Sequence, residues 1–145
     1  MPEKKRILFL CTQNACRSQM AEGLANNLMK GLIEARSAGI RPHRVHPLAI
    51  EVLSEMGLDL SGARSKHLDE FSGQEFDLAV TLCSGAKEQC PTVPGAKRLV
   101  HFPLKDPAEA AGSLDQRLDA FRKVRDAIIS ELIPFLKKEL GCELR

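Results

Sequence analysis

The chain has 145 residues, 43% of them hydrophobic and 28% charged, with a formal net charge of +2. That length suits one domain around one core, and the balance excludes a disordered chain. Acidic and basic residues are interleaved without a run of like charge, so a small substrate is a better expectation than a nucleic-acid or membrane surface.

No export signal is visible. The first apolar run, residues 7–11, is shorter than the apolar core of a signal peptide and far too short to span a bilayer, so a cytoplasmic location is expected. Five cysteines, an odd number, do not suggest a disulfide framework in a reducing compartment. Some of them are expected to do chemistry.

Residues 7–10, Ile-Leu-Phe-Leu, form a continuous apolar run that predicts a strand buried on both faces. Helical spacing of Met20, Ala21, Leu24, Ala25 and Leu28 predicts a helix over about 18–29, ended by Gly31. A second strand is expected over 33–38, closed by Gly39, and a second helix over 47–56, ended by Gly57. Residues 77–82 and 97–102 read as third and fourth strands. A long amphipathic helix is expected over about 113–140, and Pro134 should kink or restart it. Short buried strands alternating with amphipathic helices predict an α/β fold of three layers, with a four-stranded parallel sheet flanked by helices. Functional residues should then gather at the C-terminal ends of the strands, beside helix N-termini.

The segment Cys11-Thr12-Gln13-Asn14-Ala15-Cys16-Arg17-Ser18 joins the first strand to the first helix. Backbone N–H groups in such a loop can converge on an anion, and the helix N-terminus adds a positive dipole end. The Arg17 guanidinium matches two oxygens of a tetrahedral oxyanion. The same field favours a thiolate at Cys11. Ser18 could donate to that sulfur, and Asn14 tolerates the left-handed backbone a tight loop needs. The loop lacks the glycines and the Lys-Ser/Thr ending of a nucleotide-binding loop. The competing reading is a buried free cysteine with an arginine that only caps a helix.

Asp106 precedes Pro107, which favours an extended backbone there. A carboxyl group facing the loop could protonate a departing oxygen; alone, the pair reads as an ordinary Asp-Pro turn. Together, the Cys11–Ser18 loop and the late Asp106-Pro107 resemble the low-molecular-weight protein tyrosine phosphatase fold over essentially the whole chain, 1–145, read as a single domain. The resemblance implies that Cys11 is the nucleophile and Asp106 the general acid.

Cys83 and Cys90 lie seven residues apart. In a helix their Cα atoms would stand about 10 Å apart, beyond the limit of about 7 Å for a disulfide. They could bond only if the segment unwinds, which Gly85 would make easier. Their spacing is not that of a paired zinc knuckle. Two half-buried thiols remain the alternative. With the Cys11 loop present, the pattern, including Thr81-Leu82-Cys83-Ser84, resembles the thioredoxin-coupled arsenate reductases. Ala108 follows Asp106-Pro107 where tyrosine phosphatases usually carry tyrosines, and the chain has no Tyr or Trp.

That resemblance implies arsenate as substrate, thioredoxin as reductant and no cofactor. It also implies a relay in which Cys11 attacks arsenic, Cys83 attacks Cys11, and Cys90 attacks Cys83. The chain is expected to act as a monomer, without nucleic acid or membrane. The alternative function is a tyrosine phosphatase using Cys11, Arg17 and Asp106 alone; a third is a redox-sensing module without turnover. Some family members hold potassium beside the loop through an asparagine, a glutamate, a serine and an aspartate. Asn14, Glu22 and Ser37 match, but Lys66 or a neighbour falls where the aspartate stands. A lysine there would oppose a cation or replace one, so the metal assignment stays open. Cys16 reads as loop filling and Cys142 as an incidental thiol. His43, His46, His67 and His101 show no ligand spacing, and His67 and His101 read as structural.

Overall fold

A computed structural model describes residues 4–83 and 92–141. Its strands are β1 (Lys5–Leu10), β2 (Ile33–Ala38), β3 (Leu78–Thr81) and β4 (Leu99–His101). They form one parallel sheet in the order β2-β1-β3-β4. The helices are α1 (Arg17–Leu28), α2 (Pro47–Ser54), α3 (Leu114–Ala127) and α4 (Ile133–Leu140). The predicted four-stranded α/β architecture is therefore the one the chain adopts.

Strand β1 lies between β2 and β3, and its residues Ile7, Leu8, Phe9 and Leu10 are fully buried. Ile7 and Phe9 join the main core with residues of α1, α2, α3 and α4. Leu8 and Leu10 face the other way, onto Ala38 and Phe76, with Leu68, Phe71, Val93 and Ala96 packed around them. Removing each of these large side chains from water contributes about 1.5–3 kcal/mol, which explains the unbroken apolar run. From β1 the chain passes to β2 on one side and, after α2, to β3 on the other. That reversal opens a crevice at the C-terminal end of β1, the usual place for a ligand in such sheets.

Several element ends differ from expectation. β1 begins at Lys5, because Lys5 and Arg6 pair with Ile33 and Glu34. β3 and β4 are shorter than expected, and α2 ends at Ser54. The long C-terminal helix has three parts: α3, a π-helical turn over Ile128–Leu132, and α4. Pro134 occupies the first turn of α4, where its missing N–H removes no helical bond. The wide π turn before it absorbs the interruption, so the restart forms rather than a simple kink. Ser113 and Gln116 cap α3 reciprocally.

The end of α2 is clamped to α3. Arg122 and Arg125 donate to the Glu55 carboxylate at 2.8 and 2.7 Å, and Arg125 also reaches the Val52 carbonyl at 3.0 Å. The hydrogen bonds from Arg122, then Arg125, draw the Glu55 carboxyl down to about 2. This clamp fixes the angle at which the N-terminus of α2 meets the crevice.

Candidate active site

The loop after β1 turns its carbonyl groups outward. Thr12 O accepts from Arg41 N at 2.9 Å, Gln13 O from His43 N at 3.2 Å, and Ala15 O from His46 N at 3.0 Å. Asn14 O accepts from Ser65 Oγ at 2.8 Å. With its carbonyl dipoles held on the outside, the loop is left to present N–H dipoles inward, as an anion cradle requires.

Asn14 has φ of +51°, and it alone among the described non-glycine residues has a positive φ. Its side chain makes that conformation worthwhile. Asn14 Oδ1 accepts from Lys66 N and from Gln19 Nε2, each at 2.9 Å. The backbone donor fixes which end of the amide is oxygen, so Nδ2 donates to Ser18 Oγ at 2.7 Å. Ser18 Oγ lies 2.8 Å from Cys11 Sγ. Because that oxygen already accepts from Asn14, its own proton is directed at the sulfur. The roles read for Asn14 and Ser18 agree with this geometry. Gln19, which bridges Asn14 to the Arg64 carbonyl at 2.9 Å, was not singled out from the sequence.

Gly39 is a second missed residue. A Cβ added there would lie 2.5 Å from Thr12 O and 2.7 Å from Cys11 O. Only hydrogen fits between the end of β2 and the loop. Gly39→Ala should therefore displace the loop, costing about 1–3 kcal/mol from overpacking. A lowered thermal midpoint together with a weakened affinity for inorganic phosphate checks this; unchanged phosphate binding would contradict it.

Arg17 begins α1 and is 4% exposed. One terminal nitrogen donates to the Leu82 carbonyl at 3.3 Å and the Leu104 carbonyl at 3.1 Å. The other stands 3.8 Å from Asp106 Oδ2. One guanidinium thus ties the ends of β3 and β4 to the loop. Asp106 has the extended backbone expected before Pro107, and its Oδ1 accepts from Ala108 N at 3.0 Å. This leaves the carboxylate between Arg17 and the crevice.

Cys11, Arg17 and Asp106 meet in one cavity of about 590 Å³, whose far wall is His43, Arg44, His46 and Pro47. Cys83 follows β3, which pairs with β1 at Thr81↔Leu10. That register puts Leu82 opposite Cys11 and Cys83 one residue beyond, on a segment about 4.8 Å away by strand spacing. Both cysteines are buried and unbridged. Cys16 is buried too. Burial first, then the charges of Asp106 and Cys11, push its thiol up to about 12 against the pull of Arg17. It stays protonated, in keeping with a filling role. Cys90, Gly85 and Cys142 lie outside the described residues, as does the question of how the segment after Cys83 folds.

Lys66 settles beside Glu22. Its ammonium lies 3.7 Å from Glu22 Oε1, which also accepts from Ser37 Oγ at 2.6 Å. A potassium ion does not fit there, because the lysine already supplies the positive charge. Turnover should be equal in potassium and choline chloride, whereas Lys66→Met should turn over faster in potassium. Equal potassium stimulation of both proteins would contradict this. His67 and His101 are structural: His67 Nδ1 accepts from Asp69 N, and His101 Nδ1 pairs with Thr81 Oγ1 at 2.8 Å.

Comparison with known proteins places this geometry. Residues 6–144 match the family model described as low molecular weight phosphotyrosine protein phosphatase. An arsenate reductase of Halalkalibacterium halodurans is 44% identical over 125 residues, covering 86% of this chain and 90% of that protein. One from Bacillus subtilis is 40% identical over 133 residues, covering 92% and 96%. Among solved structures, an arsenate reductase in the phosphate-binding state superposes with a TM-score of 0.76 at 33% identity, covering 93% of this chain and 98% of that one.

Proposed function

We propose that this chain, which belongs to the low molecular weight phosphotyrosine protein phosphatase family and, within it, to the arsenate reductases, reduces arsenate through a relay of Cys11, Cys83 and Cys90, with thioredoxin as the final reductant. The observation that carries this reading is the oxyanion cavity lined by Cys11, Arg17 and Asp106, with Cys83 leaving the strand paired to β1 one residue past the position opposite Cys11.

Arsenate has the shape and charge of phosphate, so a cradle of N–H dipoles and the Arg17 fork suits it. The Cys11 thiolate attacks arsenic, and an arsenic–oxygen bond breaks as Asp106 gives its proton to the departing oxygen, which leaves as water. The product is a thiol-arsenate ester. Cys83, as thiolate, then attacks the Cys11 sulfur. The sulfur–arsenic bond breaks with its electron pair going to arsenic, which falls from the +5 to the +3 state and leaves as arsenite. A Cys11–Cys83 disulfide remains. Cys90 attacks Cys83, frees Cys11 as thiolate, and leaves a Cys83–Cys90 disulfide. A dithiol partner takes over that last disulfide and is itself oxidised. A thioredoxin-dependent arsenate reductase of Corynebacterium glutamicum, 29% identical with a TM-score of 0.67 over 95% of this chain, supports thioredoxin in that role.

The phosphatase reading shares the first half of this sequence, with water rather than Cys83 resolving the intermediate. The cavity favours the smaller substrate. Its far wall carries histidines and an arginine, and the chain has no Tyr or Trp to frame an aromatic ring. Arsenate-dependent NADPH oxidation in the presence of thioredoxin and its reductase tests the proposal. Hydrolysis of an aryl phosphate without arsenate reduction would replace it with the phosphatase reading. Among the described residues no helix is long and apolar enough to cross a membrane.

A further inference from the structure

The relay makes no use of the cavity's far wall, yet one residue there is built to meet an anion. We propose that His46 is a further oxyanion-binding residue, whose Nε2–H donates to an outward-facing oxygen of the anion held by the Cys11 loop. This rests on the reading of the cavity as an oxyanion site.

Three contacts hold His46, two of them through its ring. Its backbone N–H donates to the loop at Ala15 O, at 3.0 Å. Its Nδ1 accepts from Leu48 N at 3.1 Å, capping α2. Its ring packs against Phe121 of α3, with centroids 4.7 Å apart at 40°. Since Nδ1 accepts, the neutral ring carries its proton on Nε2. Among the described residues no group pairs with that Nε2, while the ring lines the same cavity as Cys11, Arg17 and Asp106. A donor whose tautomer and orientation are set before the ligand arrives is well suited to bind it. The N-terminus of α2 adds its positive end to the same wall.

Charged groups face the ring from several elements. Burial and Arg117 from α3 hold the imidazole below its ordinary range; Asp106 opposes them, and Arg44 adds to the lowering. Glu109 and Arg17 share the cavity. Protonating Nδ1 would set it donor to donor against Leu48 N and break the α2 cap, so the neutral ring is the form that donates through Nε2. The contribution of His46 should therefore persist through neutral pH.

His46→Asn tests this cleanly. Asparagine caps a helix N-terminus as well as any residue, so α2 keeps its cap while the Nε2 donor is lost. The readouts are the Kd for inorganic phosphate and the KM for arsenate between about pH 5.5 and pH 8, the span over which a histidine titrates. The variant should bind phosphate about tenfold more weakly wherever the ring is neutral, the size of one hydrogen bond to a charged acceptor. The gap should persist up to about pH 8, with kcat nearly unchanged. In the wild-type protein the His46 Nε2 resonance should shift on phosphate addition. Equal Kd values for both proteins across the range, with wild-type binding intact, would overturn the assignment of His46 alone. A wild-type protein that binds neither anion would overturn the oxyanion reading as well.

Discussion

Cys83→Ser should abolish arsenate turnover while leaving phosphate binding unchanged. The two effects separate because the oxyanion cradle is complete without the Cys83 sulfur. The loop, Arg17 and Asp106 assemble from the segments after β1 and β4, and Arg17 meets the segment before Cys83 at the Leu82 carbonyl. Serine keeps that carbonyl and fills nearly the same volume at a buried position. What disappears is the sulfur that the proposed relay uses to take the Cys11–arsenic bond apart. On the proposed relay, the thiol-arsenate ester should then return to arsenate by hydrolysis, with arsenic left unreduced. The expected fall in kcat for reduction is at least about 10³-fold, the scale seen when an essential nucleophile is removed. The coupled reductase assay and phosphate titration check the pair of results. Loss of phosphate binding would mean that Cys83 supports the cavity rather than resolving the intermediate.

Arg17→Lys should lower kcat/KM for arsenate by about 10²–10³-fold, although the charge is kept. Lysine offers a point charge where the native side chain offers a planar fork. The fork meets the Leu82 and Leu104 carbonyls and reaches toward Asp106, and it faces the cavity. One ammonium cannot satisfy two separate carbonyls and also present paired donors to a tetrahedral anion. A carbonyl left without its buried donor costs about 1–3 kcal/mol, so the thermal midpoint should fall as well. Steady-state kinetics beside thermal unfolding measure both losses. A lysine variant within about threefold of wild-type activity would show that charge alone suffices, against the geometric role that a fork supplies.

The features legible in the sequence were those with a local cause. The run Ile7, Leu8, Phe9, Leu10 marks a central strand because both sheet faces are covered. Cys11 and Arg17 are readable because strand, loop and helix follow one another without interruption. Asn14 was readable because few side chains accept its backbone. The residues that escaped act across the fold. Gly39 looked like a strand terminator, but its importance comes from the Cys11 and Thr12 carbonyls pressed against it. Gln19 sat in an amphipathic helix pattern, and its reach to Asn14 and Arg64 depends on how the segment after α2 folds back. His46 read as one histidine of four, because its value lies in meeting the loop and Phe121 at once. Lys66 was placed near the loop by resemblance, and its pairing with Glu22 emerged only in three dimensions. The π turn before Pro134 was likewise hidden, since a proline signals an interruption without saying how the helix absorbs it.

The most direct test of the relay is mass spectrometry of the disulfides formed when reduced protein meets arsenate without an external reductant. The wild-type protein should hold one arsenate-dependent disulfide, Cys83–Cys90, with Cys11 free, and should release one equivalent of arsenite. In Cys90→Ser the bridge should be Cys11–Cys83 instead, after the same single equivalent. An absence of any arsenate-dependent disulfide, or a Cys90→Ser protein that turns over repeatedly with thioredoxin at the wild-type rate, would contradict the three-cysteine sequence.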